Sequence, residues 1–244
     1  MKPIIKSQGV IIKTRDYKDN SKIITILTEE GLLDLILRGT SSMNSGNKKY
    51  TIPPTYVEYL MSQSSTISTF TEGFVLDNFN NIKLDNQKSL ISMAIIEKIL
   101  TFVNYIDKGR QFYEFCLNIL KLLDRTNYPK LILNIFEIKL LYLIGIAPTI
   151  NYCVICNGKD NLLFSISNGG TVCLKCSNQV GFDLDKNETE LFKYLYLIKN
   201  DKIDESFLKI INDLNINFDE IIDKYYEKHI EFHSKTKKII KKVS

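Results

Sequence analysis

Residues 9–39 read GVIIKTRDYKDNSKIITILTEEGLLDLILRG. Short runs rich in Ile, Leu, Val and Thr alternate with the punctuating segments RDYKDNS and EEG, which is how strands joined by turns are written. Toward the N-terminus the first run extends back to Ile4, as IIKSQGVIIK. Downstream, beyond the Gly/Ser/Asn-rich GTSSMNSGNKK, come TYVEYLM and ISTFTEGFVL, parted by SQSS. Five short strands before about residue 77 predict a small barrel. The five-stranded oligonucleotide-binding (OB) barrel is the commonest of that size, and an SH3-like barrel is the alternative.

After Asp85, a plausible N-cap, the period changes from two to three or four. Ile91, Ile95, Ile99, Phe102 and Ile106 mark one amphipathic helix, and Phe112, Cys116, Ile119 and Leu123 a second. A third follows Tyr128, with Pro129 suited to its first turn and Gly145 and Pro148 to its end. Its nearly all-round apolar surface places it at the centre of a helical bundle. Further helical patterns are ETELFKYLYLIK, DESFLKIINDL and a single long one, NFDEIIDKYYEKHIEFHSKTKKIIKK. The expected class is therefore α+β, with an OB-fold domain at residues 1–80 and a helical domain at 81–244 that carries a cysteine-bearing insertion at 152–177. No repeat of the solenoid kind is present.

Composition agrees with a folded chain: 44% of the 244 residues are hydrophobic and 25% charged, with no Trp. MKPIIKSQGV lacks the apolar stretch of a signal peptide, and the most membrane-like window, LILNIFEIKLLYLIGIAP, is interrupted by Asn134, Glu137 and Lys139. The expectation is a cytoplasmic protein without a membrane partner. The formal charge of +4 is unevenly spread. Residues 224–244 hold seven Lys against Glu227 and Glu231, and residues 1–50 hold nine Lys or Arg against five acids. Two separated basic regions point to a polyanion partner.

Four of the five cysteines lie in YCVICNGKDNLLFSISNGGTVCLKCS, as Cys153-x2-Cys156 and Cys173-x2-Cys176. In a reducing compartment such pairs lean to metal or redox chemistry rather than disulfides. A two-residue gap lets both sulfurs of a tight turn face one point, and the NGG hairpin signal folds the second pair back on the first. Thiolate softness selects Zn²⁺ or iron, and a fully thiolate shell leaves no position for substrate, so the expected cofactor is a structural Zn²⁺. A rubredoxin-like iron centre, a lost metal and a redox pair are the alternatives. Cys116, on an apolar helix face, reads as inert core. His229 and His233 are spaced to pair on a metal, but His229 falls on the apolar stripe of Phe218, Ile222, Tyr225 and Phe232.

Barrel in front, helices behind and a four-cysteine ribbon inserted among them resemble the RecO family of bacterial DNA repair and recombination mediators. The likeness is strongest over residues 9–39 and in CVICNG through GGTVCLKC, and the order of elements agrees over nearly the whole chain. The resemblance implies binding of single- and double-stranded DNA, annealing of complementary strands, contact with the single-stranded DNA-binding protein SSB, and cooperation with RecR in loading RecA, without a nucleotide cofactor and in association with the nucleoid. One departure is the loop after Gly39, usually rich in Arg and Lys in the family, which here holds only Lys48 and Lys49.

An OB barrel binds nucleic acid through an electropositive groove and aromatic faces. Lys13, Arg15, Lys18 and Lys22 cluster around the first turn, and Arg38, Lys48 and Lys49 around the next loop; these are the expected nucleic-acid contacts, opposed by Asp16, Asp19, Glu29 and Glu30 as surface ion-pair partners. Tyr17, Tyr50, Tyr56 and Tyr59 are candidates for stacking. The C-terminal lysines suit a second contact, or simply the favourable end of a helix dipole. Neither Lys83-Leu84-Asp85-Asn86 nor Lys202-Ile203-Asp204-Glu205 completes the Lys-x-Asp-Gly of a DNA ligase, and no phosphate loop or His-Glu-x-x-His occurs. An enzyme is not expected. The competing reading is a zinc-ribbon transcription or scaffold protein that does not anneal strands.

Overall fold

A computed structural model describes residues 3–42 and 45–243 of the chain. Of the loop after Gly39, Met43 and Asn44 lie outside the described residues. The strands β1 (Ile4–Asp16), β2 (Ser21–Thr28), β3 (Gly31–Arg38), β4 (Thr55–Ser62) and β5 (Ser68–Asp77) close into a barrel in the order β1-β2-β3-β5-β4. Closure rests on β1, which is long enough to pair antiparallel with β4 through residues 4–11 and with β2 through residues 10–16, a bulge at Ile12 bending it between the two partners. The remaining seam is a short parallel pairing of β3 with β5, Leu35 opposite Ser68 and Ile36 opposite Thr69.

Alternation sends Ile11, Ile24, Ile26, Leu35, Leu37, Val57, Tyr59 and Phe70 inward to one core, joined by Tyr50. Gly9 sits where β1 presses on β2: a Cβ there would stand 2.4 Å from Ile26 Cγ2 and 2.7 Å from the Leu27 carbonyl oxygen. This is the OB-type barrel expected from the strand pattern.

Helices come next: α1 (Asn80–Leu84), α2 (Asn86–Phe102), α3 (Gly109–Arg125) and α4 (Pro129–Leu143). Asp85 caps α2, its carboxylate accepting from the Lys88 N–H at 2.9 Å. The hairpin β6 (Leu162–Ser165) and β7 (Gly170–Cys173) is then succeeded by α5 (Leu174–Val180), α6 (Lys186–Leu197), α7 (Glu205–Asp213), α8 (Asp219–Ile230) and α9 (Lys235–Val243). Contacts divide the chain into two compact units, residues 1–92 with 99–124, and residues 93–98 with 125–244. The change of period near residue 80 marks where strands give way to helices, whereas packing keeps most of α3 with the barrel. Gly109 passes so close to the β2–β3 turn that a Cβ would stand 2.5 Å from the Glu29 carbonyl oxygen, and Lys121 lies 5.4 Å from the Tyr56 ring centroid.

In the second unit α4 is buried nearly all round, including Ile132, Ile135, Phe136, Ile138 and Leu140, as a central helix must be. Phe164 of β6 joins the hairpin to the helices, its ring centroid 4.7 Å from Phe192 and 5.8 Å from Tyr225. The charge inside α4 is compensated. Glu137, fully buried, lies 2.7 Å from Lys98 Nζ, an ion pair without hydrogen-bond alignment, and 2.9 Å from Lys237 Nζ, which donates to it.

The long C-terminal helix expected from 217 to 242 is two helices. Glu231 takes φ 52°, ending α8, and a new N-cap opens α9, where Ser234 Oγ accepts from the Lys237 N–H at 3.0 Å. Glu97 reinforces that start: its carboxylate accepts from the Ser234 hydroxyl at 2.5 Å and from the N–H groups of Lys235 at 2.8 Å and Thr236 at 3.2 Å. Among the described residues no helix is long and apolar enough to cross a membrane.

Candidate metal centre and nucleic-acid interface

The first Cys-x-x-Cys turn is closed by its own backbone. The Cys153 N–H donates to the Gly158 carbonyl at 2.7 Å and the Asn157 N–H to the Cys153 carbonyl at 2.9 Å, with Asn157 at φ 61°. The second turn begins where β7 ends: Cys173 pairs with Leu162, and the chain passes directly into α5, whose first turn carries Cys176. Residues 166–169 turn the hairpin, Gly169 supplying φ 64°. At Gly170 a Cβ would lie 2.4 Å from the Thr149 carbonyl oxygen, so the segment around Thr149, bridged to Gly170, approaches to a distance only Gly permits.

These elements bring the sulfurs of Cys153, Cys156, Cys173 and Cys176 within 4.8 Å of one another, those of Cys156 and Cys173 being 3.6 Å apart. Sulfurs bonded at about 2.3 Å around one tetrahedral ion stand about 3.8 Å from each other. The cluster fits a single metal ion, and its charge distribution is already suited to one. Burial raises the Cys153 thiol, but the N–H groups of Cys156, Cys173 and Ile155 outweigh it and bring the pKa down to about 6. The Cys176 N–H is the largest influence on Cys173 and lowers it too. Cys176 is held up to about 12, first by its hydrogen bond to Cys173. In each turn one thiol, Cys153 in the first and Cys173 in the second, is thus biased toward the thiolate that a metal would bind.

The other candidates take structural roles. Cys116 is fully buried and burial alone raises its thiol well above the ordinary value. His229 Nε2 lies 2.9 Å from the Ile166 carbonyl, and its ring packs 4.2 Å from Tyr225. His233 Nε2 lies 3.7 Å from the Glu227 carboxylate.

At the barrel, three segments are sewn together at one end. The Asn20 carbonyl accepts from the N–H groups of Gly39 at 2.8 Å and Thr40 at 3.3 Å, and its side-chain oxygen accepts from the Ser41 N–H at 2.8 Å. The Asn47 side chain donates to the Arg38 carbonyl at 2.8 Å, and the Ser45 hydroxyl donates to the Gly39 carbonyl. The turn bearing Lys18, the end of β3 with Arg38 and the 3-10 turn Gly46–Tyr50 with Lys48 and Lys49 therefore share one site. Lys18 and Lys49 lie over Tyr17 and Tyr50, 5.3 and 4.9 Å from the ring centroids.

The seven expected contacts are not equivalent. Lys13, Lys18, Arg38 and Lys49 are exposed and have no ion pair among the described residues. Arg15 is held by Asp34 at 2.9 Å, Asp34 in turn accepting from the Thr25 hydroxyl at 2.6 Å. Lys22 lies 2.5 Å from Asp16. Strand alternation puts Arg15 outside the barrel with Lys13, while Lys22 and Asp16 fall on the inward parity at the barrel's end. Of the expected stacking residues, Tyr50 and Tyr59 are core, because their rings fill the barrel against Phe70. The sequence reading missed Asn20, Ser45 and Asn47; the one local signal for them is the run of turn-forming residues on either side of β2 and β3.

The chain resembles known proteins over nearly its whole length. The family model described as Recombination protein O N terminal matches residues 1–79, and that described as Recombination protein O C terminal matches residues 76–238. The DNA repair protein RecO of Bacillus subtilis (strain 168) is 26% identical over 241 residues, covering 97% of this chain and 94% of that protein. The RecO of Syntrophomonas wolfei is 28% identical over 177 residues, 72% of this chain and 71% of that one, and that of Thermoanaerobacter sp. (strain X514) 25% over 240 residues, 97% of each.

Proposed function

The chain belongs to the RecO family of DNA repair proteins, and we propose that it acts as a recombination mediator. In this reading it binds single- and double-stranded DNA, anneals complementary strands, and with RecR helps to load RecA onto SSB-coated single strands. It does so in the cytoplasm at the nucleoid, without nucleotide hydrolysis and without catalysing a covalent step.

The observation that carries the proposal is the sewn end of the barrel, where Lys18, Arg38 and Lys49 stand exposed and without carboxylate partners among the described residues. Such a cluster would displace condensed counterions from the phosphates it neutralises, steepening the salt dependence by about 0.7 to 0.9 in log-log slope for each contact. Lys13 extends the track along β1, and Arg15 and Lys22 join it once DNA competes with Asp34 and Asp16. Tyr17 supplies the aromatic face beside it.

Zinc is the ion assigned to Cys153, Cys156, Cys173 and Cys176. Its part is structural: four thiolates leave no coordination position for substrate, and the ion would fix the hairpin that Phe164 anchors to α6 and α8. The test is annealing of SSB-coated complementary strands in the absence of ATP, monitored by fluorescence transfer between end labels. Acceleration by this chain is the expected result. No acceleration, together with oligonucleotide binding that is unaffected by Lys18→Gln with Arg38→Gln, would overturn the reading.

A further inference from the structure

The lysines of α9 are sorted by face. Lys237 is buried, with Nζ 2.9 Å from Glu137, 2.7 Å from Asp223 and 3.8 Å from Asp219. Lys241 bonds Asp223 at 2.7 Å. Lys235, Lys238 and Lys242 are exposed and carry no ion pair among the described residues. Their spacing of three and four residues aligns them on one stripe about 10 Å long. Ile239 lies beside them, half exposed.

A helix dipole accounts for only part of this arrangement. Cations are favoured in the last turn, which explains Lys242, but Lys235 opens the helix at its positive end, where a cation is disfavoured. Like charges one turn apart also repel. The helix nevertheless keeps the stripe in place, because Glu97 binds its first N–H groups and the carboxylates of Glu137, Asp219 and Asp223 hold Lys237 beneath it. The acids of α8 have other partners: Glu227 faces His233 at 3.7 Å, Glu220 holds Lys224 at 2.6 Å, Asp219 faces Lys237 at 3.8 Å, and Asp223 bonds both Lys237 and Lys241 at 2.7 Å. An anchored row of cations without ion pairs among the described residues is a surface prepared for an external polyanion.

We propose that the outer face of α9, through Lys235, Lys238 and Lys242, is a second nucleic-acid contact that takes the sugar-phosphate backbone, separate from the barrel site. The inference rests on the chain being a DNA-binding protein. A backbone contact of this kind is indifferent to base sequence and adds to the salt dependence of binding, with Ile239 offering an apolar edge to a sugar or an unstacked base.

The test uses the full chain with labelled oligothymidine and a labelled duplex, titrated by fluorescence anisotropy across a salt series. Three forms are compared with the parent: Lys235→Gln/Lys238→Gln/Lys242→Gln, the same three positions changed to Arg, and Lys18→Gln/Arg38→Gln. The expected result is a slope shallower by up to about 2 on the single strand for the α9 Gln triple, recovery in the Arg triple, and a separate loss in the barrel variant. An α9 Gln triple that binds like the parent while the barrel variant weakens would overturn this site and leave the mediator reading standing. A parent that binds neither probe would overturn both.

Discussion

Replacing Glu137 with Gln tests whether the second unit is organised around a buried charge. Glu137 lies on the central helix α4 with no exposure, and its two oxygens serve two lysines from different segments: Lys98 at 2.7 Å and Lys237 at 2.9 Å. The amide keeps the volume but removes the charge. Lys237 would retain Asp223 and Asp219, whereas Lys98, with about 1% exposure, would keep only the ring faces of Tyr226 and Phe232 at 5.8 and 5.4 Å. Removing one partner of a buried pair costs about 3–5 kcal/mol, because the other charge stays behind without water. Half of that figure would already be large for a folded chain. The double change Lys98→Met with Glu137→Gln removes the stranded cation and leaves Gln as a partner for Lys237, so it is expected to regain most of the loss. Since the chain has no Trp, unfolding in urea is monitored by far-ultraviolet circular dichroism. A slope of about 2–3 kcal/mol per molar places the midpoint of the single variant about 1–2 M below the parent. A single variant within about 0.3 M of the parent, or a double variant no better than the single, would refute the reasoning.

The same geometry sets three other outcomes. Changing Cys153 and Cys173 to Ser removes one sulfur of each turn from the four-sulfur cluster, so zinc measured by atomic emission in protein purified without chelator falls from stoichiometric to none; retained zinc would contradict a four-sulfur site. Asp34→Asn releases Arg15 from an exposed pair worth at most about 1 kcal/mol, and oligonucleotide affinity is expected to rise a few-fold with a slope steeper by up to about 0.9, whereas unchanged binding would place Arg15 outside the contact. Burial would raise the Glu97 carboxyl, but the Ser234 hydroxyl and the N–H groups of Lys235 and Thr236 hold it below its ordinary 4.5. A depressed pKa stabilises above the unfolded value and ceases to do so as pH falls through the folded one, so docking of α9, read by amide hydrogen exchange of its first turn corrected for the intrinsic rate, weakens as the pH drops below 4.5, and Glu97→Gln removes that dependence.

What was legible in the sequence was whatever a short window decides. Alternation marks β1 to β5 because each has one face in the barrel core, and the all-round apolar pattern of residues 131–141 marks α4 because every side of it is packed. The four cysteines were legible for a stronger reason: ligation restricts residue type and gap together, so chemistry and spacing coincide within a few positions. Pairing across the chain leaves no such trace. Nothing near Arg15 tells that Asp34, nineteen positions away, will claim it, since that depends on the register of β1, β2 and β3. Lys237 and Glu137 stand a hundred positions apart, and in isolation one reads as a solvated tail lysine and the other as an interruption in an apolar helix. The break at Glu231 escaped for a related reason, because a Glu in left-handed backbone has no signature of its own. Ser234 and the distant Glu97 hold it there, favouring a second helix start more than the local pattern favours continuation. The same long-range pairing settles which cations remain available. Composition counts seven lysines in the tail, but only packing divides those on α9 into the pair, Lys237 and Lys241, that hold the helix and the three that face outward, and it is this division, not the net charge, that a polyanion would read.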